Sequence, residues 1–211
     1  MSQKNETTVL VLAFLITLGL VGGGVWLFNR HSGFKIGNST NIIQNGDDNS
    51  SQIDNQSVSD RISFGEKTLV PGEVQPAKRA GVQAIAAGQY DKAIANLEAA
   101  LRVNRNDPET LIFLNNARIG KQKNYTIAAS VPIGSDLNGA SEILRGVAQS
   151  QNEINSSGGI KGLPLKVAIA NDDNKPQIAQ QIASALVNNP DVLGVVGPYA
   201  SDVTLAAGSA G

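Results

Sequence analysis

Hydroxyl and backbone groups at one turn are the groups of this chain best suited to binding chemistry. An apolar run, residues 192–196, leads into the small-residue turn 197–202, which should open a helix. The Ser201 hydroxyl and the unpaired N–H groups at such a helix start could together hold an anion. Ser201 could equally act as the helix N-cap, and one hydroxyl can fill both roles. Ligands of open α/β sheets bind at turns that follow strands, so the sequence predicts a small-molecule site here.

A pair of adjacent carboxylates, Asp172 and Asp173, follows the apolar run 165–170. Paired carboxylates can perform general acid–base catalysis, but no histidine or lysine of a matching role lies near them in the sequence. The single histidine, His31, stands far away at the end of an N-terminal apolar run, so no Ser/His/Asp triad is available. We therefore expect the pair to cap and anchor a loop, and we expect no enzymatic activity.

The composition excludes several further classes of function. The 211 residues carry a formal net charge of -1 and no run of lysine or arginine, which argues against nucleic-acid binding. Cysteine is absent, which removes disulfides, thiolate nucleophiles and zinc–sulfur sites. The glycines at 158, 159 and 162 follow a helix-type segment rather than a strand, and no Walker A or dinucleotide-binding string occurs. We therefore expect neither a cofactor nor a metal.

The N-terminus contains a candidate membrane anchor. Residues 9–28 form an apolar run of 20 residues without a charge, and a helix of that length spans about 30 Å, the thickness of a bilayer core. A cleaved signal peptide is the alternative, but the run is long and no Ala-x-Ala-like site follows it. We predict a single-pass anchor in the cell membrane over residues 1–30, with the C-terminal part extracytoplasmic. The positions of Lys4, Arg30 and Lys35 lean weakly toward the opposite orientation.

Residues 31–75 are predicted to form a flexible polar linker. Between residues 37 and 60 there is no lysine or arginine, and Asn, Ser, Gln, Asp and Gly dominate. The few apolar residues show no sustained period, so the segment cannot bury enough apolar surface to offset the entropy of ordering it.

A helical hairpin is predicted over residues 76–121. Apolar residues recur at three- and four-residue spacing in the segments 77–87, 91–103 and 110–119. The hairpin resembles a tetratricopeptide repeat in the positions of its small, leucine, aromatic and proline residues: Ala80, Ala84, Gly88, Tyr90, Ala93, Leu97, Ala100, Leu101 and Pro108. Only about one repeat is present, so its apolar flank must be covered by Phe113 and its neighbours or by the next segment. Such a hairpin could dock a protein partner or could serve only as a spacer.

Residues 122–211 are predicted to form an α/β unit with a parallel sheet. Three short β-type runs alternate with two helix-length segments: residues 126–131, 139–155, 165–170, 176–189 and 192–196. Alternation of this length is typical of right-handed βαβ units. The sheet edge beyond residue 196 should be exposed, which predicts poor solubility for the isolated fragment.

The same segment carries a string of small and polar residues that resembles a known family. Its most specific element is Glu153-Ile154-Asn155 followed by Gly158-Gly159-Ile160 and Gly162, and the pattern continues at Asp172, Asp173, Gly194, Gly197 and Ser201. In order and spacing this string resembles the N-terminal lobe of type I periplasmic binding proteins. Within that family it is most similar to the branched-chain amino-acid (Leu/Ile/Val-binding) receptors of ABC transporters. The resemblance implies that residues 122–211 are the incomplete first part of such a lobe.

The resemblance also implies a ligand site formed by two loops. Family members bind the α-carboxylate and α-amino group of the ligand with the turn after the third strand, a role that falls here on Ser201, Ala200 and Tyr199. The loop after the first strand, with Ser135 and Asp136, would form the other wall. This loop departs from the Leu/Ser-Gly pair that is common in the family. Asp136 could attract a ligand amine or could cap the next helix, and the cap is favoured.

The implied function is that of a membrane-anchored, extracytoplasmic solute-binding protein of an ABC-type uptake system. It would capture an amino acid or similar small polar solute between two lobes and deliver it to the permease subunits. Two alternatives stay open: a scaffold whose tetratricopeptide-like hairpin recruits a protein partner, and the sensor ectodomain of a signalling receptor.

Overall fold

A computed structural model of the protein describes residues 57–210. The predicted anchor and most of the predicted linker lie outside these residues. Within the described range, no helix has the length and apolar character needed to cross a bilayer.

Four strands form one sheet: β1 (Ile62–Ser63), β2 (Tyr125–Val131), β3 (Leu165–Asn171) and β4 (Val192–Val196). Their order in the sheet is β1-β3-β2-β4. β2 pairs in parallel with both β3 and β4, which confirms the predicted βαβ alternation. The sheet as a whole is mixed rather than parallel, because β1, which the sequence did not predict, runs antiparallel to β3.

Six α-helices lie in the described part of the chain: α1 (Pro76–Ala86), α2 (Tyr90–Val103), α3 (Pro108–Ile119), α4 (Leu137–Ser156), α5 (Pro176–Val187) and α6 (Ser201–Gly208). α4 connects β2 to β3, α5 connects β3 to β4, and α6 follows β4. The predicted helices are confirmed, with differences of a few residues at their ends.

The period-two alternation of β2 and β3 divides the core into two layers. On one side, a buried cluster joins Leu144 of α4 to alternate residues of the two strands, namely Ala129, Val131, Val167 and Ile169. On the other side, a second cluster joins Ile182 and Leu186 of α5 to the intervening residues Ala128, Ala168 and Ala170. Helices therefore cover both faces of β2 and β3, as strands that are apolar on both sides require.

The third helix joins the helical segment to the sheet. Ile112 and Phe113 of α3 are fully buried and belong to the same cluster as Leu144 and Val167. α1 and α2 pack closely because Gly81 carries no side chain, since a Cβ there would collide with the Leu97 side chain. The predicted open flank of the hairpin is thus covered by α3 and the sheet together. The tetratricopeptide identity of the hairpin stays a prediction.

The prediction of a flexible linker is wrong for its last residues, 57–75. A 3-10 turn, Val58–Arg61, leads into β1, whose Ile62 and Ser63 pair with Ala170 and Ile169. The segment gains its hydrogen bonds from the edge of β3, far along the chain. A composition argument considers only local apolar surface, so it does not anticipate an edge strand that is recruited in this way.

A buried carboxylate fastens the chain after β1 to the helical segment. Oε1 of Glu109 accepts hydrogen bonds from the N–H groups of Leu69 at 2.6 Å and Val70 at 3.1 Å. Its Oε2 pairs with Nζ of Lys78 at 2.7 Å, and Lys78 also pairs with Asp107 at 2.8 Å. Burial alone would lower the pKa of Lys78, but the two carboxylates outweigh it and hold that pKa above its ordinary value. Lys78 therefore stays charged inside the protein.

Side-chain amides close the outer edge of β3 where β1 does not reach. Asn155 of α4 accepts from the Leu165 N–H at 2.7 Å and donates to the Leu165 carbonyl at 3.0 Å. Asn116 of α3 likewise accepts from the Val167 N–H at 3.1 Å and donates to the Val167 carbonyl at 2.7 Å. Further along, β1 pairs with Ile169. Each amide thus takes the place that a residue of a neighbouring strand would occupy.

Asn116 is the centre of this closed edge. Its Nδ2 also donates to the carbonyl of Phe64 at 2.8 Å, and its Oδ1 also accepts from Nε2 of Gln151 at 2.8 Å. One buried side chain therefore joins four parts of the fold: the chain after β1, α3, β3 and α4.

The outer edge of β4 is open. Among residues 57–210 no strand pairs with this edge, and Leu193 is 64% exposed, with Val195 and Val196 also exposed. An apolar cavity of about 300 Å³ lies beside the strand, between α5 and α6, with Leu186 and Val195 in its lining. The predicted exposed sheet edge is confirmed.

Candidate functional site

Three loops meet at the carboxyl edge of the sheet. They span residues 132–136 after β2, 172–175 after β3 and 197–200 after β4. Because β2 lies between β3 and β4 in a parallel arrangement, all three loops lie at the same edge. The structure therefore places the five residues named from the sequence at one end of the sheet. Four lie in the loops after two neighbouring strands, and Ser201 is the first residue of the helix that follows the second loop.

The loop after β2 is a tight turn that leads into α4. The N–H groups of Ser135 and Asp136 both donate to the carbonyl of Pro132, at 3.2 Å and 2.8 Å. Oδ1 of Asp136 accepts from the Gly139 N–H at 2.9 Å, so Asp136 is the N-cap of α4, as favoured from the sequence. Ser135 is exposed and Asp136 is half-buried. One carboxylate oxygen of Asp136 is thus committed to the helix.

The loop after β4 passes close to β2. Gly197 has a φ of +96°, and a Cβ at this position would collide with the Ser130 carbonyl oxygen. Only glycine suits both the left-handed backbone and the close approach. The loop then presents Tyr199, which is 60% exposed, and Ala200, which is half-buried.

Helix α6 begins at Ser201, and its N-cap is Ala200, which provides no side-chain hydrogen bond. The interpretation of Ser201 as the N-cap is therefore wrong by one position. Ser201 is exposed, and within the described residues its hydroxyl forms no hydrogen bond. The first turn of α6, with the exposed Ser201, directly follows the loop at the carboxyl end of β4.

The loop after β3 is hydrogen-bonded to β2 and to the loop that follows β2. Oδ2 of Asp172 accepts from the Ser130 hydroxyl at 2.7 Å, and its Oδ1 accepts from the Asn174 N–H at 2.8 Å. Oδ1 of Asp173 accepts from the Gly134 N–H at 2.9 Å. The expectation that this acidic pair anchors a loop is confirmed. In the described residues, no three side chains of His, Cys, Asp or Glu gather as a metal site would require.

Arg61, from the segment before β1, forms an ion pair with Asp173 of this loop. Its Nη1 lies 2.9 Å from Oδ2 of Asp173, and the arginine is only 2% exposed. Burial would raise the pKa of Asp173, but the hydrogen bonds from Arg61 and Asn171, the Arg61 charge and the Gly134 amide hold it below its ordinary value. The sequence analysis missed Arg61, because 112 residues separate it from Asp173 and no local pattern marks it.

These elements define an α/β lobe with three loops at the carboxyl edge of its parallel strands. Comparisons with known proteins agree with this fold. A family model described as "Periplasmic binding protein" matches residues 125–210, from the first residue of β2 to the end of α6 and just beyond. Residues 125–210 are thus similar to periplasmic binding proteins, and the resemblance to that family noted from the sequence is confirmed. Residues 57–124 lie outside the match.

A curated relative gives the same result. An "Amino acid binding protein" of Pseudomonas aeruginosa is 32% identical over 74 residues, which are 35% of this chain and 20% of that protein. The match thus spans about a fifth of the length of the relative. No solved structure matches the chain.

Proposed function

We propose that residues 122–210 form half of the binding site of an extracytoplasmic solute-binding protein, and that the solute is an amino acid or a similar small polar molecule. The observation that carries the proposal is the extent of the family match, which begins at β2 and includes all three loops of the carboxyl edge. The similarity to an amino acid binding protein of P. aeruginosa supports an amino acid as the solute.

The proposed chemistry uses two of the three loops. The ligand carboxylate would accept hydrogen bonds from the Ser201 hydroxyl and from the first N–H groups of α6, where the helix dipole favours negative charge. The ligand ammonium would lie toward Asp136, whose Oδ1 is held by Gly139. Ser135, Tyr199 and Ala200 would line the same space.

A titration tests the proposal. Calorimetry would compare the full chain, in a mild detergent, with a chimera in which residues 1–210 are followed by the part of the P. aeruginosa relative beyond its matched stretch. An equimolar pool of the twenty common amino acids is the probe. We expect the chimera to bind, and Ser201→Ala to weaken binding about tenfold, since it removes one hydrogen bond to a charged group. Failure of a folded chimera to bind any amino acid would overturn the proposed function.

The cellular setting belongs to the same proposal. We propose that residues 1–30 anchor the protein in the cell membrane with its binding lobe extracytoplasmic, and that ABC permease subunits receive the solute. The helical hairpin, residues 76–121, would serve as a spacer rather than as a partner-docking groove. In support, α3 shares a buried core with α4 and the sheet, so part of the surface of the helical segment is already occupied.

A further inference from the structure

Arg61, which lies outside the family match, is connected to the loop 132–136 through two successive hydrogen bonds. β1 pairs Ile62 with Ala170, so the register brings the preceding residue, Arg61, alongside the end of β3. There its Nη1 donates to the Asn171 carbonyl at 3.4 Å and to Oδ2 of Asp173 at 2.9 Å. Backbone pairing of the neighbouring residue Ile62 therefore places Arg61 beside the end of β3, independently of the contacts of its side chain.

The carboxylate of Asp173 connects Arg61 to the loop after β2. While Oδ2 holds Arg61, Oδ1 accepts the Gly134 N–H at 2.9 Å. A Cβ at Gly134 would collide with that same oxygen, so the carboxylate fills the place where a side chain would stand. Gly134 directly precedes Ser135 and Asp136, two of the residues proposed to face the ligand.

The turn that presents Asp173 needs support. Asp173 and Asn174 have φ values of 51° and 54°, a left-handed conformation that non-glycine residues adopt at a cost. Within the turn, the Asp173 N–H donates to Oδ1 of Asn171 at 3.1 Å. A buried carboxylate in such a turn without a cation would also carry a desolvation cost, which the guanidinium offsets.

We propose that Arg61 is a positioning residue for the binding site: through Asp173 it sets the place of the loop 132–136. This inference rests on the proposed function for its consequence in binding, but its structural part does not depend on a ligand. A segment that precedes the family match would thus determine the geometry of a loop inside it.

Hydrogen exchange tests the structural part. In the full chain in mild detergent, Arg61→Met keeps an apolar stem of similar length and removes the charge. We expect the Gly134 amide to exchange about tenfold faster, because the carboxylate that accepts its hydrogen bond loses its partner, while the Ala129 and Val167 amides keep their protection. Arg61→Lys should restore part of the Gly134 protection. Arg118→Met is the matched control, since Arg118 pairs with Glu98 on the surface at 2.9 Å.

Two results would overturn the inference about Arg61. One is unchanged Gly134 protection in a folded Arg61→Met variant. The other is an equal rise in exchange at Gly134, Ala129 and Val167, which would show loss of the fold rather than of one loop position.

Titration of the chimera with the amino-acid pool tests the consequence for binding. We expect Arg61→Met to weaken binding and Arg61→Lys to recover part of it, while equal affinity in all three proteins would contradict a positioning role. Absence of binding by the parent chimera would overturn the proposed function instead, and the exchange experiment would then decide on Arg61 alone.

Discussion

The two outer edges of the sheet are finished in opposite ways. Along β3, every second residue from Leu165 to Asn171 has a partner at the outer edge. In order along the strand, these partners are Asn155, Asn116, Ser63 and Arg61. Along β4, the apolar residues Leu193, Val195 and Val196 are exposed, and no strand of the described chain pairs with them. An unpaired edge is a template for a further strand. A further strand could therefore pair with β4, whereas the outer edge of β3 is already occupied.

The closed edge is built mainly from residues that the family match does not include. Asn116, Ser63 and Arg61 precede residue 125, and only Asn155 lies within the matched segment. The segment before the lobe is thus more than a connection to it. Its short strand β1 and its Asn116 side chain together provide the hydrogen-bond partners that a full-length neighbouring strand would give to β3.

The comparison is tested most severely at Asn116. Asn116→Ala would leave the Val167 N–H and the carbonyls of Val167 and Phe64 buried without these partners. At about 1–3 kcal/mol for each unsatisfied group, we expect a loss of roughly 3 kcal/mol or more in the free energy of unfolding. Urea denaturation measures it. Asn96→Ala is the control, because the half-buried Asn96 donates only within its own helix, to the Lys92 carbonyl. Equal losses in the two variants would contradict the role of Asn116.

A smaller loss is expected at Asn155. Asn155→Ala removes both hydrogen bonds to Leu165, but the site is half-buried and water can replace part of what is lost. We expect about 2 kcal/mol by urea denaturation. Asn152→Ala, at an exposed position of the same helix, should change stability by less than about 0.5 kcal/mol. A neutral Asn155→Ala would show that the β3 edge is closed by Asn116 and β1 alone.

The Arg61 end of the closed edge predicts a dependence on pH. The pKa of Asp173 lies below its ordinary value of 3.8 in the folded protein, so its stabilising effect is present above pH 3.8 and is lost as the pH falls through the lowered pKa. Acid titration followed by circular dichroism should therefore show a shallower loss of stability below pH 4 in Asp173→Asn than in the parent chain. An unaltered slope in Asp173→Asn would contradict the assignment.

The open edge should respond in solubility rather than in stability. Leu193→Lys places a charge on an exposed edge residue, and we expect a change in the free energy of unfolding within about 0.5 kcal/mol. Light scattering against concentration should show less self-association than in the parent chain, whereas Leu193→Ile should behave like the parent. Equal scattering by the charged variant would show that association does not proceed through β4.

The same contrast explains what could be predicted from the sequence. The strands and helices from residue 125 onward follow from short apolar runs and the turns between them, and the cap at Asp136 lies three residues from its partner. Asn155 and Leu165 are ten residues apart, inside one motif. Asn116 and Val167 are 51 apart, and Arg61 and Asp173 are 112 apart. Contacts of that separation leave no period or spacing in the sequence, so β1 and Arg61 were assigned to a linker.

The four-way bond of Asn116 also bears on how such proteins can be recombined. A lobe that needed nothing from its N-terminal neighbour could be joined to any spacer by exchange of gene segments. Here a new spacer would have to bring its own amide to the middle of β3, at the same height and on the same side. Residues 76–121 would therefore have to be exchanged together with the lobe, although in sequence they look like a separate segment.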